Sequence, residues 1–360
     1  MAVFSSPAFD GHEKVAFWND EAAGLRSIIA VHSTAAGPSA GGCRIWSYAN
    51  DADALTDVLR LSRGMSYKNI MAGLRLGGGK AVIVGDRQRT KTPAMMRSFG
   101  RFVESLGGLY YTAEDVGMSA EDMEYVAEET RYVAGRSKGA NASGDPSPFT
   151  AHGVFCGIEA ALAHRFGTPD WSSRTIAIQG LGHVGYHLAR ELADQGAKLI
   201  VADIHEANVA RVVSECGARA VSPDEIISVR ADVFSPCALG AVVNETTIAA
   251  IKADIIAGAA NNQLAEDRHG EMLRARDILY VPDYVINAGG IMNVSLEIEG
   301  RFENATASMR WVEHIGVTLT ELFARADREA RPTNVIADEM ARERIAAAKR
   351  THGSASEAAE

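Results

Sequence analysis

Polar and apolar residues alternate along this chain in two rhythms, one for each half. In the first half, the apolar run at residues 27–31 predicts a strand, and residues 43–46 predict a second short one. From 52 to 67, Leu55, Val58, Leu59 and Ser62 recur at i, i+3, i+4 and i+7, which predicts a helix with one face turned to a core. A glycine cluster follows, then a strand over 81–84, a helix over 93–106 and a strand over 110–112. Pro93 suits the first turn of its helix, where no N–H is needed. An acidic-fronted helix is predicted over 120–129.

The second half alternates short apolar runs with helical or loop segments. The runs lie at 175–179, 199–202, 233–235, 254–257 and 278–282. Such runs suit a parallel sheet buried on both faces, with helices as crossovers. Between the halves, KGANASGDPSP at 138–148 breaks any period and reads as a linker. Beyond Gly300 the pattern is helical to about residue 350, and the small polar stretch 351–360 reads as a disordered tail. The fold class is therefore α/β with two domains. Residues 1–140 form one α/β domain. Residues 141–329 form a doubly wound, Rossmann-type domain.

Composition narrows the class. Of 360 residues, 47% are hydrophobic and 23% charged, ordinary for a globular enzyme. The net charge of −10 argues against a general nucleic-acid binder. No apolar run approaches the ~20 residues that span a bilayer, and the N-terminus lacks a basic-then-apolar signal pattern, so the expected location is the cytoplasm. Cys43, Cys156, Cys216 and Cys237 form no CxxC pair and are expected to be reduced thiols. His183 and His187 stand at i, i+4, but neither HExxH nor a third ligand accompanies them, so no metal is expected.

Gly180-Leu181-Gly182-His183-Val184-Gly185 fits GxGxxG. Alone the pattern is weak; its setting strengthens it. The strand-like TIAIQ precedes it, an amphipathic helix with Leu188, Ala189, Leu192 and Ala193 follows, and a second strand, LIVAD, comes next. Asp203 ends that second strand, 18 residues beyond Gly185. A carboxylate there accepts hydrogen bonds from a ribose 2′-OH and repels a 2′-phosphate, so NAD is expected over NADP.

The first half offers Lys68 in MSYKN, Lys80 in LGGGKAV and Asp115 in YTAEDVG. The glycine–lysine run is not a P-loop, because Leu74 and Ala81 stand where Gly and Ser/Thr are required. Beside a nicotinamide, a fixed cation can hold a carboxylate, a second lysine can act on water, and a carboxylate can shuttle protons. Glycines 77–79 are expected to let backbone approach a ligand closely just before Lys80.

RLSRGMSYKNIMAGLRLGGGKAVIVGD, YYTAEDVGMSAEDM, SGDPSPFTAHGV, GLGHVGYHLARELADQGAKLIVADI, SPCALGAVVN, IIAGAANNQL and PDYVINAGGIMNV occur in that order, with RPTNVIADEMARERI near the C-terminus. Over about residues 24–350 these blocks resemble the leucine, phenylalanine, valine and glutamate dehydrogenase superfamily, and its leucine dehydrogenase branch most. The resemblance implies that Lys68 binds the substrate carboxylate, Lys80 is the catalytic lysine and Asp115 the catalytic acid/base. It implies that Asn262 contacts the substrate, with Gly41 and Gly42 alongside, and that Asn287 contacts substrate or nicotinamide. Thr150, Cys237, Ala238, Ala259 and Asn261 would join the glycine motif and Asp203 around NAD. Ala40, Ala113, Ile291 and Val294 would line the side-chain pocket; all four are apolar, so a glutamate γ-carboxylate would be desolvated without a charged partner.

The resemblance implies that residues 1–140, joined by C-terminal helices at about 330–350, serve substrate binding, catalysis and oligomerisation, with a deep cleft between the two domains. It thus implies NAD-dependent oxidative deamination of an apolar L-amino acid to a 2-oxo acid and ammonia, by a homo-oligomer, dimer or octamer. Leucine, valine and isoleucine are favoured. Phenylalanine is the alternative, because Ala40 stands where leucine enzymes usually carry leucine. An enzyme acting on another amine is opposed by Lys68 and Asn262. A non-catalytic NAD sensor is opposed by the joint presence of Lys68, Lys80 and Asp115.

Overall fold

The computed structural model describes residues 3–86, 90–136 and 143–357. The chain divides into two compact units, one of residues 1–145, 293–304 and 341–360, the other of residues 146–292 and 305–340.

In the first unit, β1 (Lys14–Asp20) and β2 (Leu25–Ser33) form an antiparallel hairpin. They are followed by β3 (Ser39–Ala40), β4 (Cys43–Trp46), α1 (Asp51–Met71), β5 (Gly77–Val84), α2 (Pro93–Glu104), β6 (Tyr110–Tyr111) and α3 (Ala120–Ala127). The sheet order is β1-β2-β5-β3-β6, with β4 also paired to β5. β2 and β5 are buried almost throughout because both faces are covered. One face packs Ile28, Ala30 and Val82 against Ala54, Leu55, Val58 and Leu59 of α1. The other packs Ile29, Cys43, Ile45, Ala81 and Ile83 against α2 and α3. Full burial of a side chain such as Leu59 contributes about 1.5–3 kcal/mol.

α1 starts where Asn50 caps the Asp53 N–H, with Asp51 and Asp53 in its first turn. It runs four residues past the expected end at 67. Those last residues include the fully buried Asn69, whose Nδ2 donates to Ala40 and Gly77 carbonyls, a tertiary contact that periodicity does not reveal.

The second unit begins with α4 (Ser147–Phe166), then β7 (Thr175–Gln179), α5 (His183–Asp194), β8 (Lys198–Ala202), α6 (Glu206–Cys216), β9 (Arg219–Ala220), β10 (Val233–Pro236), α7 (Glu245–Ala250), β11 (Ile255–Ile256), α8 (His269–Ala275), β12 (Leu279–Tyr280) and α9 (Asp283–Ile286). The remaining helices of the chain are α10 (Gly289–Ile298), α11 (Ala305–Val312), α12 (His314–Glu329) and α13 (Thr333–Glu357). The sheet order is β12-β11-β10-β7-β8-β9 and every pairing is parallel. β7 comes first in the sequence yet lies mid-sheet, so the winding reverses between β7 and β10, as in a doubly wound fold.

Several expectations need correction. β1 and β3 were not expected; β1 is an edge strand with mixed exposure and β3 has only two residues. β9 likewise carries no apolar signal. Of the expected linker, 138–142 lies outside the described residues, whereas Ser147 and Pro148 already belong to α4. The expected tail is helix as far as Glu357. Residues 293–304 join the first unit, tied there by Glu297, whose Oε2 accepts from the Gly135 N–H at 3.1 Å and the Ser143 hydroxyl at 2.7 Å. No helix among the described residues is long and apolar enough to cross a membrane.

Candidate active site

In β5, Lys80 and Val82 point to one face of the sheet, the face that α1 covers. Arg44 of β4 pairs in register with Val82, and the neighbouring Cys43 and Ile45 turn into the opposite core. The segment carrying Asp115 runs beside β4, held by the Cys43 N–H donating to Ala113 at 2.8 Å and the Ile45 N–H donating to Val116 at 3.0 Å. Local backbone pairing thus brings three charges from distant parts of the sequence together. Lys80 Nζ lies 3.1 Å from Asp115 Oδ2, and Arg44 Nε lies 3.1 Å from the same oxygen. Lys80 is 6% exposed, so the pair is largely sheltered from water. Burial pushes the Asp115 carboxyl up, but Lys80 and then Arg44 outweigh it and hold it below its usual range. Lys68, half-buried, lies in the last turn of α1.

The glycines here serve packing. A Cβ on Gly77, Gly78 or Gly79 would meet the Ser33 carbonyl at 2.0 Å, the Ser66 nitrogen at 2.0 Å or the Tyr110 ring at 2.6 Å. Along the Cβ direction, what approaches them is protein. Gly41 and Gly42 behave alike: a Cβ would lie 2.0 Å from the Gly79 carbonyl or 2.3 Å from the Glu114 carbonyl and 2.9 Å from Asp115 Cβ. Ala40 is 1% exposed, so direct contact with a substrate requires its cover to move. Val294 is 6% exposed, while Ala113 and Ile291 are half-buried.

In the second unit, the sequence-predicted cofactor residues gather at the carboxyl ends of the strands. Gly180 adopts a left-handed turn (φ 95) directly after β7, and a Cβ on Gly185 would sit 2.0 Å from the Gly180 carbonyl. Ala238, beyond β10, is the nearest neighbour of Gly180, at 2.6 Å from a Cβ placed there. Cys237 is joined to β7 by its N–H donating to Gln179 at 2.7 Å. Asp203, after β8, accepts from the Leu181 N–H at 2.6 Å and the His205 N–H at 2.7 Å. Burial raises its carboxyl, and these backbone donors, together with the Asn208 side chain and His205, more than offset that. Asn287 Nδ2 donates to the Ala259 carbonyl at 3.0 Å and Asn261 Oδ1 at 2.7 Å. Asn262 is exposed in a left-handed conformation (φ 52), its carbonyl accepting from the Ala241 N–H. Thr150 lies in the first turn of α4 with its hydroxyl on the Pro146 carbonyl. His183 and Val184 open α5.

These residues fit a dinucleotide. α5 has no side-chain cap, and its N-cap, Gly182, faces open space where a Cβ would meet nothing within 4 Å. That leaves room for a pyrophosphate against helix N–H groups. Asn287 Oδ1 is buried with no hydrogen-bond partner among the described residues, an acceptor suited to a carboxamide NH2. Asp203 keeps acceptor capacity for ribose hydroxyls.

Arg44 was not singled out from the sequence, nor were Asp57 and Tyr48. Arg44 Nη1 lies 3.1 Å from Asp57 Oδ2, and the Tyr48 hydroxyl donates to the same oxygen at 2.6 Å. The available signal was a lone charge inside the apolar run 43–46.

A dinucleotide turn in one unit and a sheltered lysine–carboxylate pair in another are the equipment of a nicotinamide-dependent oxidoreductase. Residues 12–132 match the model for the Glu/Leu/Phe/Val dehydrogenase dimerisation domain, and residues 201–353 match that for Glutamate/Leucine/Phenylalanine/Valine dehydrogenase. Leucine dehydrogenase of Geobacillus stearothermophilus is 49% identical over 345 residues, covering 96% of this chain and 94% of that protein. Leucine dehydrogenase of Thermoactinomyces intermedius is 47% identical over 351 residues, covering 98% and 95%. The crystal structure of L-tryptophan dehydrogenase from Nostoc punctiforme superposes with a TM-score of 0.83 at 41% identity, covering 94% of this chain and 97% of that one. The chain belongs to the Glu/Leu/Phe/Val dehydrogenase family. It is an enzyme of the amino acid dehydrogenase class, and its cofactor is NAD.

Proposed function

We propose that the enzyme prefers leucine, valine and isoleucine, reversibly converting each to its 2-oxo acid with release of ammonia, and that Lys68, Lys80 and Asp115 carry the chemistry. The observation behind this reading is the Lys80–Asp115 contact of 3.1 Å at a largely buried site. When bound, NAD supplies the acceptor for the hydride that leaves the substrate Cα. Lys68 holds the substrate carboxylate as a fixed cation. Lys80, in its neutral form, takes the proton of the water that attacks the iminium carbon. Asp115, kept ionised, exchanges protons with the amino group as the carbinolamine forms and collapses. The short contact lets a proton pass between the two as one role follows the other. Gly41, Gly42 and Asn262 support the substrate, and Ala40, Ala113, Ile291 and Val294 are the apolar positions assigned to its side chain. In the second unit, Gly180, Leu181, Gly182, His183, Val184 and Gly185 hold the pyrophosphate, Asp203 the ribose, and Thr150, Cys237, Ala238, Ala259, Asn261 and Asn287 the nicotinamide end.

A phenylalanine preference is the second reading, supported by the short side chain of Ala40. One or two methylenes separate the two by only ~1–3 kcal/mol. We also read the enzyme as a cytoplasmic homo-oligomer, supported by four cysteines outside any disulfide and by the match to a dimerisation domain.

The test is initial-rate NADH formation at alkaline pH across a panel of L-amino acids, with wild type and Lys80→Ala compared. Turnover of leucine, valine or isoleucine that falls by ~10²–10⁴ in the variant supports the reading. A clear preference for phenylalanine keeps the mechanism and moves the substrate. Full turnover by Lys80→Ala would sink the assignment of Lys80.

A further inference from the structure

Asp115 sits where burial favours the neutral acid, yet the role given to it requires a carboxylate with a fixed orientation. We propose that Arg44 is the positioning residue for Asp115: its guanidinium, braced by Asp57 and Tyr48, pins Oδ2 of the carboxylate and leaves Oδ1 as the oxygen that carries the proton. The proposal rests on the catalytic role of Asp115 set out above.

The geometry carries it in three steps. First, Arg44 divides its fork between two carboxylates, Nε on Asp115 Oδ2 and Nη1 on Asp57 Oδ2, each at 3.1 Å. A planar guanidinium held at both edges cannot rotate, and the Tyr48 hydroxyl at 2.6 Å fixes the second carboxylate in turn. The three side chains are 21–29% exposed, so this is no solvated surface pair. Second, the backbones of Arg44 and Asp115 are fastened together by the hydrogen bonds of Cys43 and Ile45 to Ala113 and Val116. The side chains therefore approach from adjoining segments with little freedom to part. Third, Lys80 and Arg44 both make their closest approach to the carboxylate at Oδ2. Lys80 gives up its charge whenever it serves as a base. Arg44 does not titrate in the working range, so it is the cation that keeps Asp115 ionised through that step. For the same reason it is not itself an acid or base.

The experiment measures kcat and KM against pH for wild type, Arg44→Gln, Arg44→Lys, Asp57→Asn and Asp115→Asn. It is paired with a carbon-13 NMR titration of the Asp115 carboxyl, assigned by its loss in Asp115→Asn. In Arg44→Gln, kcat falls ~10–100-fold while KM for the amino acid changes far less. Its acid limb and the Asp115 titration both move up by about one unit or more, because a cation has been removed. Asp57→Asn moves both the opposite way, because an anion has been removed, and it still lowers kcat by loosening Arg44. Arg44→Lys restores the titration but not the full kcat, since an ammonium cannot span both carboxylates. If Arg44→Gln does not fold, Asp57→Asn and Arg44→Lys carry the same signed test. A limb and a titration that stay put in these variants, or move the same way in Arg44→Gln and Asp57→Asn, would overturn the proposal. Asp115→Asn with wild-type kcat would overturn the role of Asp115 itself, and the NMR titration would still report whether Arg44 governs its ionisation.

Discussion

Two glycine clusters, at 77–79 and at 180–185, look alike on paper and do different work. Around Gly77, Gly78 and Gly79, every missing Cβ is replaced by protein: a carbonyl, a helix nitrogen, an aromatic ring. The result is that α1 and β5 approach closely, and the turn carrying Lys68 is set beside the strand carrying Lys80. In the second cluster, Gly180 and Gly185 also meet protein: Gly180 packs against Ala238 beyond β10, and Gly185 closes the turn against the Gly180 carbonyl. Gly182 meets nothing, and the N-terminus of α5 beyond it has no side-chain cap. Open space at Gly182 matters because it adjoins an uncapped helix N-terminus; the collisions at Gly77, Gly78 and Gly79 mark a joint in the scaffold.

The sharpest way to break this comparison is Gly78→Ala. Its Cβ would lie 2.0 Å from a backbone nitrogen and 2.2 Å from Ser66 Oγ, and backbone cannot swing aside. We expect a loss of at least ~3 kcal/mol in urea unfolding, at the severe end for overpacking. An unchanged midpoint would mean the joint is not rigid.

The second prediction probes the same joint through Ser66, whose hydroxyl bonds His32 Nδ1 at 2.8 Å. Burial, and then the charge of His12, pull the His32 imidazole down to about 4, with Arg63 and Lys349 adding to this and Asp10 opposing it. A base with a lowered folded value is protonated first in the unfolded chain. Stability therefore falls as pH drops from 6.5 toward about 4 and levels off below. The loss should reach up to about 3 kcal/mol, and His32→Asn should flatten that part of the stability–pH curve. A curve unaltered by His32→Asn would assign the slope to other groups.

In the second cluster, Asp203→Asn should raise the NADP-to-NAD ratio of kcat/KM by about tenfold, since the charge that repels a 2′-phosphate is gone. The smallest structural effect is expected for Gly182→Ala: unfolding free energy within ~0.5 kcal/mol of wild type, yet NAD Kd raised several-fold by calorimetry. A large loss of stability there would erase the distinction drawn above.

Much of this was legible in advance. The strands at 27–31, 43–46, 81–84 and 175–179, α2 and α3, and the glycine turn with Asp203 all follow from short-range periodicity and turn chemistry. The edge strand β1, the two-residue β3 and β9, and the buried final turn of α1 did not, because their residues lack a decisive period and acquire their state from neighbours far along the chain. Among the site residues, Lys80 and Asp115 were named from their motifs, whereas Arg44, Asp57 and Tyr48 were not.

The amino-acid order alone determined that a strand, a tight glycine turn and a helix follow one another at 175–194, since those hydrogen bonds and dihedral demands lie within a few residues of each other. It also determined which lysines and carboxylates were available. Only the tertiary structure decided that glycines 77–79 admit protein and that Gly182 faces open space. It alone decided that Arg44 and Lys80 converge on one oxygen of Asp115, because the neighbours that answer those questions arrive from 12 to 71 residues away.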